Sequence, residues 1–159
     1  MGFFDRITKV FRAPNASILV TLNKSAFMQG QEIVGTVLVT SSDEFEASEL
    51  RIELEDIETT KAIYYEKVKV GDKEERVERT AEQTTTLFSG KFPILGSLNV
   101  IQGFREEYAF RIPISANSSI TYYGRNASNK WTLKAVLGIR NRPDIVSHPI
   151  EVHIVPPVY

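Results

Sequence analysis

The chain of 159 residues contains no cysteine. Disulfide staples, thiolate metal ligands, iron–sulfur clusters and a cysteine nucleophile are therefore excluded. Histidine is nearly absent as well, with only His148 and His153. Five positions apart on an extended strand, they would lie about 16 Å from each other, too far to share a metal unless the chain bends. Both read as surface or turn residues. Charge of one sign is missing too: 19 Lys and Arg against 20 Asp and Glu give a formal net charge of −1. No basic stripe for nucleic acid is expected. No apolar run approaches the roughly 20 residues that span a bilayer. Asp5, Arg6 and Lys9 interrupt what would be a signal-peptide core, and Arg6 stands where a myristoylation pattern beginning at Met1-Gly2 requires Ser or Thr. A cytoplasmic location is expected, and the sequons at Asn15, Asn117 and Asn126 then read as chance matches in Asn- and Ser-rich loops. A Ser-centred nucleophile elbow and a Gly-rich phosphate loop are also lacking, so no enzyme, no cofactor and no metal is expected.

Hydrophobic residues make up 42% and charged residues 25%, an ordinary globular composition with enough length for one domain and its core. From Ser17 onward the apolar period is two. Ile18, Val20 and Leu22 form one face of a strand, and Ile33, Gly35, Val37 and Val39 one face of the next. Leu50, Ile52 and Leu54 alternate with Arg51, Glu53 and Glu55, a half-buried pattern. Ile63–Val70 reads as a further strand, Gly71-Asp-Lys73 as its turn, and the Thr-rich 74–87 as a solvated hairpin arm that meets the core at Leu87 and Phe88. Phe92–Leu98 reads as an irregular apolar connector. Tyr108, Phe110 and Ile112 point inward on one strand. Trp131, Leu133, Ala135 and Leu137 share one face of another, and on the last Ile150, Val152 and Ile154 lie opposite Glu151, His153 and Val155. Roughly eight or nine strands without interspersed helices predict an all-β sandwich or barrel.

Residues 1–14 stand apart from this pattern. Phe3, Ile7 and Val10, with Phe4 and Phe11 beside them, form the apolar side of an amphipathic helix over 2–12, and Pro14 closes it. At about eleven residues such a helix is marginal alone and must lie against something. It either caps the sandwich of residues 15–159 or contacts a partner or membrane. Three basic residues, Arg6, Lys9 and Arg12, predict only weak peripheral membrane affinity for a monomer, which self-association would raise by avidity.

Candidate chemistry elsewhere is sparse. Glu49, Glu53, Glu55 and Asp56 form an acidic stretch. Glu53 and Glu55 share an outward face, a spacing conceivable for paired-carboxylate hydrolysis, though a solvated sheet face accounts for it more simply. Asp43, Glu44 and Glu46 match no twelve-position calcium loop. Tyr64-Tyr65 and Tyr122-Tyr123 are adjacent pairs. Neighbours on a strand point to opposite sides, which predicts one core and one exposed tyrosine per pair. Tyr65 and Tyr123 are the candidate partner anchors.

Leu22, Phe27, Gly30, Ile33, Gly35 and Val37 occur in an order that resembles the opening of arrestin N-terminal-like domains. Phe110-Arg-Ile-Pro113, Ser119-Ile-Thr121 and Trp131-Thr-Leu-Lys-Ala135 are similar to that family's later strands. The resemblance runs from about Ser17 to Val155 and is poor between 60 and 90. Bacterial and archaeal relatives linked to sporulation control also begin with a short helix like Gly2–Phe11, and the retromer's arrestin-shaped subunit is a more distant likeness. The resemblance implies an immunoglobulin-like two-sheet sandwich that acts as a non-enzymatic scaffold or adaptor, docking a protein partner through a sheet surface or edge. A membrane-associated self-assembling protein, peripheral on the inner face, is the first alternative. A carbohydrate-binding or hydrolytic sandwich is the second. Animal arrestins carry two such sandwiches, whereas this chain has room for one. Their buried ionic core does not map here, since Arg140 lies near the relevant strand end without an identifiable acidic partner.

Overall fold

The computed structural model describes residues 12–159. The helix expected over 2–12, with Phe3, Phe4, Ile7, Val10 and Phe11, falls outside that range apart from Arg12, whose carbonyl accepts a 2.9 Å bond from Arg142 Nε. The described residues form eleven strands: β1 (Ala16–Leu22), β2 (Ala26–Met28), β3 (Glu32–Ser41), β4 (Phe45–Val70), β5 (Lys73–Leu95), β6 (Leu98–Val100), β7 (Phe104–Pro113), β8 (Tyr122–Tyr123), β9 (Ala127–Ile139), β10 (Ile145–Val146) and β11 (Ile150–Val155).

Two sheets result. The smaller is β1-β3-β7, antiparallel throughout. The larger runs β2-β11-β9-β4-β5, with β6 on β4 and both β8 and β10 on β9. Period-two alternation decides what is buried. Ile18, Val20, Ile33, Val37, Val39, Phe110 and Ile112 face inward from the small sheet. Leu50, Ile52, Leu54, Trp131, Leu133, Ala135, Leu137, Val152 and Ile154 face them from the large one. Side chains that alternate between core and solvent leave only one register that buries the apolar set.

Gly35 lies inside this core because nothing larger fits. A Cβ there would stand 2.5 Å from the Thr21 carbonyl oxygen and 2.7 Å from the Phe110 ring. The backbone obstacle cannot move aside without disturbing the β1–β3 ladder, which pairs Leu22 with Gly35.

Three expectations need correction. Phe92–Leu95 is not an irregular connector but the end of β5, paired with Leu50–Ile52 of β4. Ile63–Val70 is not a separate strand but the distal part of the 26-residue β4. The tyrosine pairs do not divide into core and surface members: Tyr64, Tyr65, Tyr122 and Tyr123 are all exposed. Alternation buries one of two neighbours only where a second layer covers one face, and the ribbon bearing Tyr64 and Tyr65 has none.

Candidate functional site: the ribbon and the cavity at its root

β4 pairs with β9 as far as Thr60–Ala127 and continues beyond that point with β5 alone. About ten residues per strand, at about 3.3 Å each, carry this two-stranded ribbon roughly 33 Å past the last β9 contact. None of its residues between 61 and 82 is buried. The register assigns its two faces. One carries Ala62, Tyr64, Val68 and Val70 opposite Ala81, Arg79, Glu75 and Lys73, with the Glu66–Val77 pair between them. The other carries Ile63, Tyr65, Lys67 and Lys69 opposite Thr80, Glu78, Arg76 and Glu74.

Local contacts order both faces. The Arg76 guanidinium lies over the Tyr65 ring at 4.4 Å, Arg79 Nε reaches Glu66 at 3.3 Å, and Lys61 meets Glu82 at 3.8 Å. Such exposed pairs add little stability. The ribbon nevertheless leaves Ile63, Tyr64, Tyr65 and Val70 each about half exposed. Tyr123, the second candidate anchor, belongs to β8 on the other side of β9, so the structure does not bring it onto the ribbon with Tyr65.

At the root of the ribbon the β4–β5 register shifts between Asp56 and Ile57: Asp56 faces Phe88 and Ile57 faces Thr86, with Leu87 as the extra residue. A bulge of this kind re-aims side chains. Here Leu87 and Phe88, although adjacent, both line one cavity. Phe92 joins them, and the intervening Gly90 leaves room for the two rings, since a Cβ there would come within 2.9 Å of both. Trp131 supplies the floor, its ring 5.6 Å from that of Phe88. The opposite wall is the segment 113–119 that leaves β7. It is tied down by Trp131 Nε1 donating to the Ser119 carbonyl at 2.9 Å and by Asn129 Nδ2 donating to that of Ile120 at 2.9 Å. Gln29 Nε2 donates to the Ser118 carbonyl. The cavity encloses about 400 Å³.

Among the described residues, Asp56 is the one carboxylate in its lining. It is 1% exposed, and among the described residues neither of its oxygens has a hydrogen-bond partner; the same is true of the buried Asn129 Oδ1. Burial pushes the Asp56 carboxyl up to about 6. The polar side chains of Asn129 and Ser119 offset part of the rise, and the Glu58 charge adds to it. Glu58 lies on the same strand face and accepts a 3.1 Å bond from the Tyr122 hydroxyl. Sequence reading placed Asp56 in an acidic surface stretch. Its phase with Leu50, Ile52 and Leu54 is the signal that places it inside.

Two glutamates of that stretch, Glu49 and Glu53, are neutralised on the outer face. Glu53 contacts Arg51 at 2.9 Å and Lys134 at 3.4 Å, while Glu49 takes the other side of Arg51. Burial would raise the Glu53 carboxyl, but the hydrogen bonds from Arg51 and Lys134 outweigh it and hold the group below its usual range. Arg140 does have an acidic neighbour, Glu46 at 3.6 Å, and both side chains are exposed. The pair is a surface contact and not a buried ionic core. Of the histidines, His153 lies 3.7 Å from Glu151 and His148 is exposed. Among the described residues no group of three or more His, Cys, Asp or Glu is placed to hold a metal ion, and no helix is long and apolar enough to cross a membrane.

No protein-family profile matches the chain, and no curated protein matches it either. Among solved structures, the crystal structure of Spo0M, a sporulation control protein from Bacillus subtilis, superposes with a TM-score of 0.61 at 20% sequence identity. The match covers 89% of this chain and 50% of Spo0M, so the chain spans about half of that protein's length. At this identity the likeness establishes the fold: an all-β, sandwich-like architecture similar to the arrestin-like fold of Spo0M.

Proposed function

We propose that this protein is a non-enzymatic docking module that engages a protein partner through the projecting ribbon. The observation that carries this reading is the ribbon itself, a well-paired hairpin that contributes nothing to the core yet holds Ile63, Tyr64, Tyr65 and Val70 in solvent. An isolated two-stranded ribbon is marginal in water, and exposed aromatic and aliphatic groups on it are the kind of anchor that partner surfaces bury. β5 is also the terminal strand of the large sheet, so its outer edge offers main-chain groups to an added strand. The hydrolytic alternative has less support, because among the described residues Asp56 is the only carboxylate lining the cavity and glycosidic hydrolysis of the usual kind requires two.

Affinity capture from source lysate, with its membrane fraction, tests the reading using three proteins: full length, Ile63→Ser/Tyr65→Ser, and a version lacking residues 1–12. A partner retained by full-length protein and by the truncation, and lost from the ribbon variant, supports ribbon docking. Recovery of membrane alone, abolished by removing residues 1–12, would replace it with the peripheral, self-assembling alternative.

A further inference from the structure

We propose that the cavity at the ribbon root is a binding site for a small organic ammonium cation. The aliphatic body of the ligand lies against Leu54, Leu87, Phe88, Phe92 and Trp131, and its charged nitrogen meets the carboxylate of Asp56. The site is independent of whether the ribbon docks a partner.

Three observations converge. The volume, about 400 Å³, falls within the range of small-ligand cavities. The walls are apolar and aromatic, which suits both an alkyl chain and a cation held near ring faces. The unsatisfied polar atoms at this place are all of one kind: both Asp56 oxygens and Asn129 Oδ1 are buried acceptors without a donor among the described residues. Asn129 lies next along the inward face of β9 from Trp131, the residue paired with Asp56. A buried acceptor left unmatched is destabilising, and an ionised one more so. An ammonium group brings donors only, three of them, together with the opposite charge. An anion would meet Asp56 and Glu58 on the same face, and a neutral alcohol would leave the carboxylate charge uncompensated.

The groups that face Asp56 are Glu58 on its own strand, Tyr122 on β8, Asn129 and Trp131 on β9, Phe88 on β5, and Ser115, Asn117, Ser118 and Ser119 on the covering segment. Glu58 and Tyr122 are the titratable members, and neither is cationic. Ammonium binding therefore tracks ionisation of Asp56. With its carboxyl at about 6, only about a tenth is ionised one pH unit below, so binding weakens about tenfold between pH 7.5 and pH 5.

Trp131 is the only tryptophan and reports directly on occupancy. Its fluorescence is titrated with n-pentylammonium, the neutral isostere n-pentanol, and N-acetyl-lysine-N-methylamide. The expected result is a saturable change with pentylammonium, at least about tenfold tighter than with pentanol, weakened about tenfold at pH 5 and at least as much in Asp56→Asn. Circular dichroism confirms that the variant is folded, and the pH series on the unaltered chain does not depend on it. Equal binding of the lysine derivative identifies a polypeptide side chain as a source of the cation. Binding confined to pentylammonium identifies a free amine. Pentanol binding as tightly as the amine, unchanged amine affinity at pH 5, or no saturable change at millimolar amine would overturn the proposal.

Discussion

Asp56→Asn should make the protein more stable at neutral pH, and the size of the gain follows from where the carboxyl sits. In the unfolded chain it titrates near 3.8; in the folded protein burial moves it to about 6. The folded state therefore holds the proton more tightly. Stability from this group is complete below the unfolded value and is lost as pH rises through the folded one. The interval corresponds to on the order of 3 kcal/mol, and water reaching the mouth of the cavity reduces it toward about 2 kcal/mol. Asparagine has nearly the shape of protonated aspartic acid and never ionises, so it escapes the penalty. For a domain of this size that is a rise of about 4–8 °C in Tm at pH 7.5. Thermal unfolding followed by circular dichroism from pH 4 to 8 tests this, with the reading taken as variant minus wild type so that other carboxylates cancel. The difference should be flat above about pH 7 and shrink toward zero near pH 4. A variant no more stable than wild type at pH 7.5, or a difference that does not change with pH, would refute the claim that Asp56 is ionised, buried and unpartnered.

Gly35→Ala should lower stability by about 1–3 kcal/mol through overpacking against the Thr21 carbonyl and Phe110; a lower denaturant midpoint with an unchanged slope would show it. Gly90→Ala should leave stability nearly unchanged but displace the Phe88 and Phe92 rings, read as a shifted Trp131 emission. Glu53→Gln should remove about 1 kcal/mol or less. Because the Glu53 carboxyl is held below its ordinary value, its contribution is present above about pH 4.5 and fades as pH falls through the folded value, so urea midpoints at pH 7 and pH 3 should show a smaller variant deficit at the lower pH.

Alternation made most of the sandwich legible. The phases of Leu50–Leu54 and Tyr108–Ile112 predicted the side that is buried, and those of Ile33–Val39 and Trp131–Leu137 the residues that share a face, because a side chain on a strand between core and solvent has one choice of face. Where a segment has no second layer, that logic fails. Tyr64 and Tyr65 looked like a core–surface pair and are both exposed, since the ribbon has solvent on both sides. The cavity was illegible for a different reason. It arises from a one-residue register shift that brings Leu87 and Phe88 to the same place, and nothing in the residues of β5 announces a bulge. Asp56 was half legible: its phase pointed inward, but three neighbouring glutamates made an exposed acidic face the simpler expectation. What marks it is the conflict itself, a charge at an apolar phase. A sequence that breaks its own pattern at the wall of a cavity has placed chemistry there at the expense of stability.

The same reasoning makes the ribbon separable from the fold. No side chain between 61 and 82 is buried, and the salt bridges within the ribbon are exposed pairs of small energetic value. Beyond Lys61, whose N–H still reaches the Asn126 carbonyl at 2.7 Å, the two strands pair with each other, so shortening them there breaks no ladder of the sandwich. Replacing residues 62–81 with Asn-Gly, a preferred two-residue hairpin turn, should therefore change stability by no more than about 1 kcal/mol, or about 2–4 °C in Tm. The deletion stops short of the Leu87 bulge, so Trp131 should keep its emission and its response to n-pentylammonium. Partner capture, in contrast, should be lost. A shortened protein that unfolds, or whose tryptophan emission shifts to that of an exposed ring, would show that the ribbon braces the sandwich. Its exposed tyrosines would then have to be explained as a structural by-product.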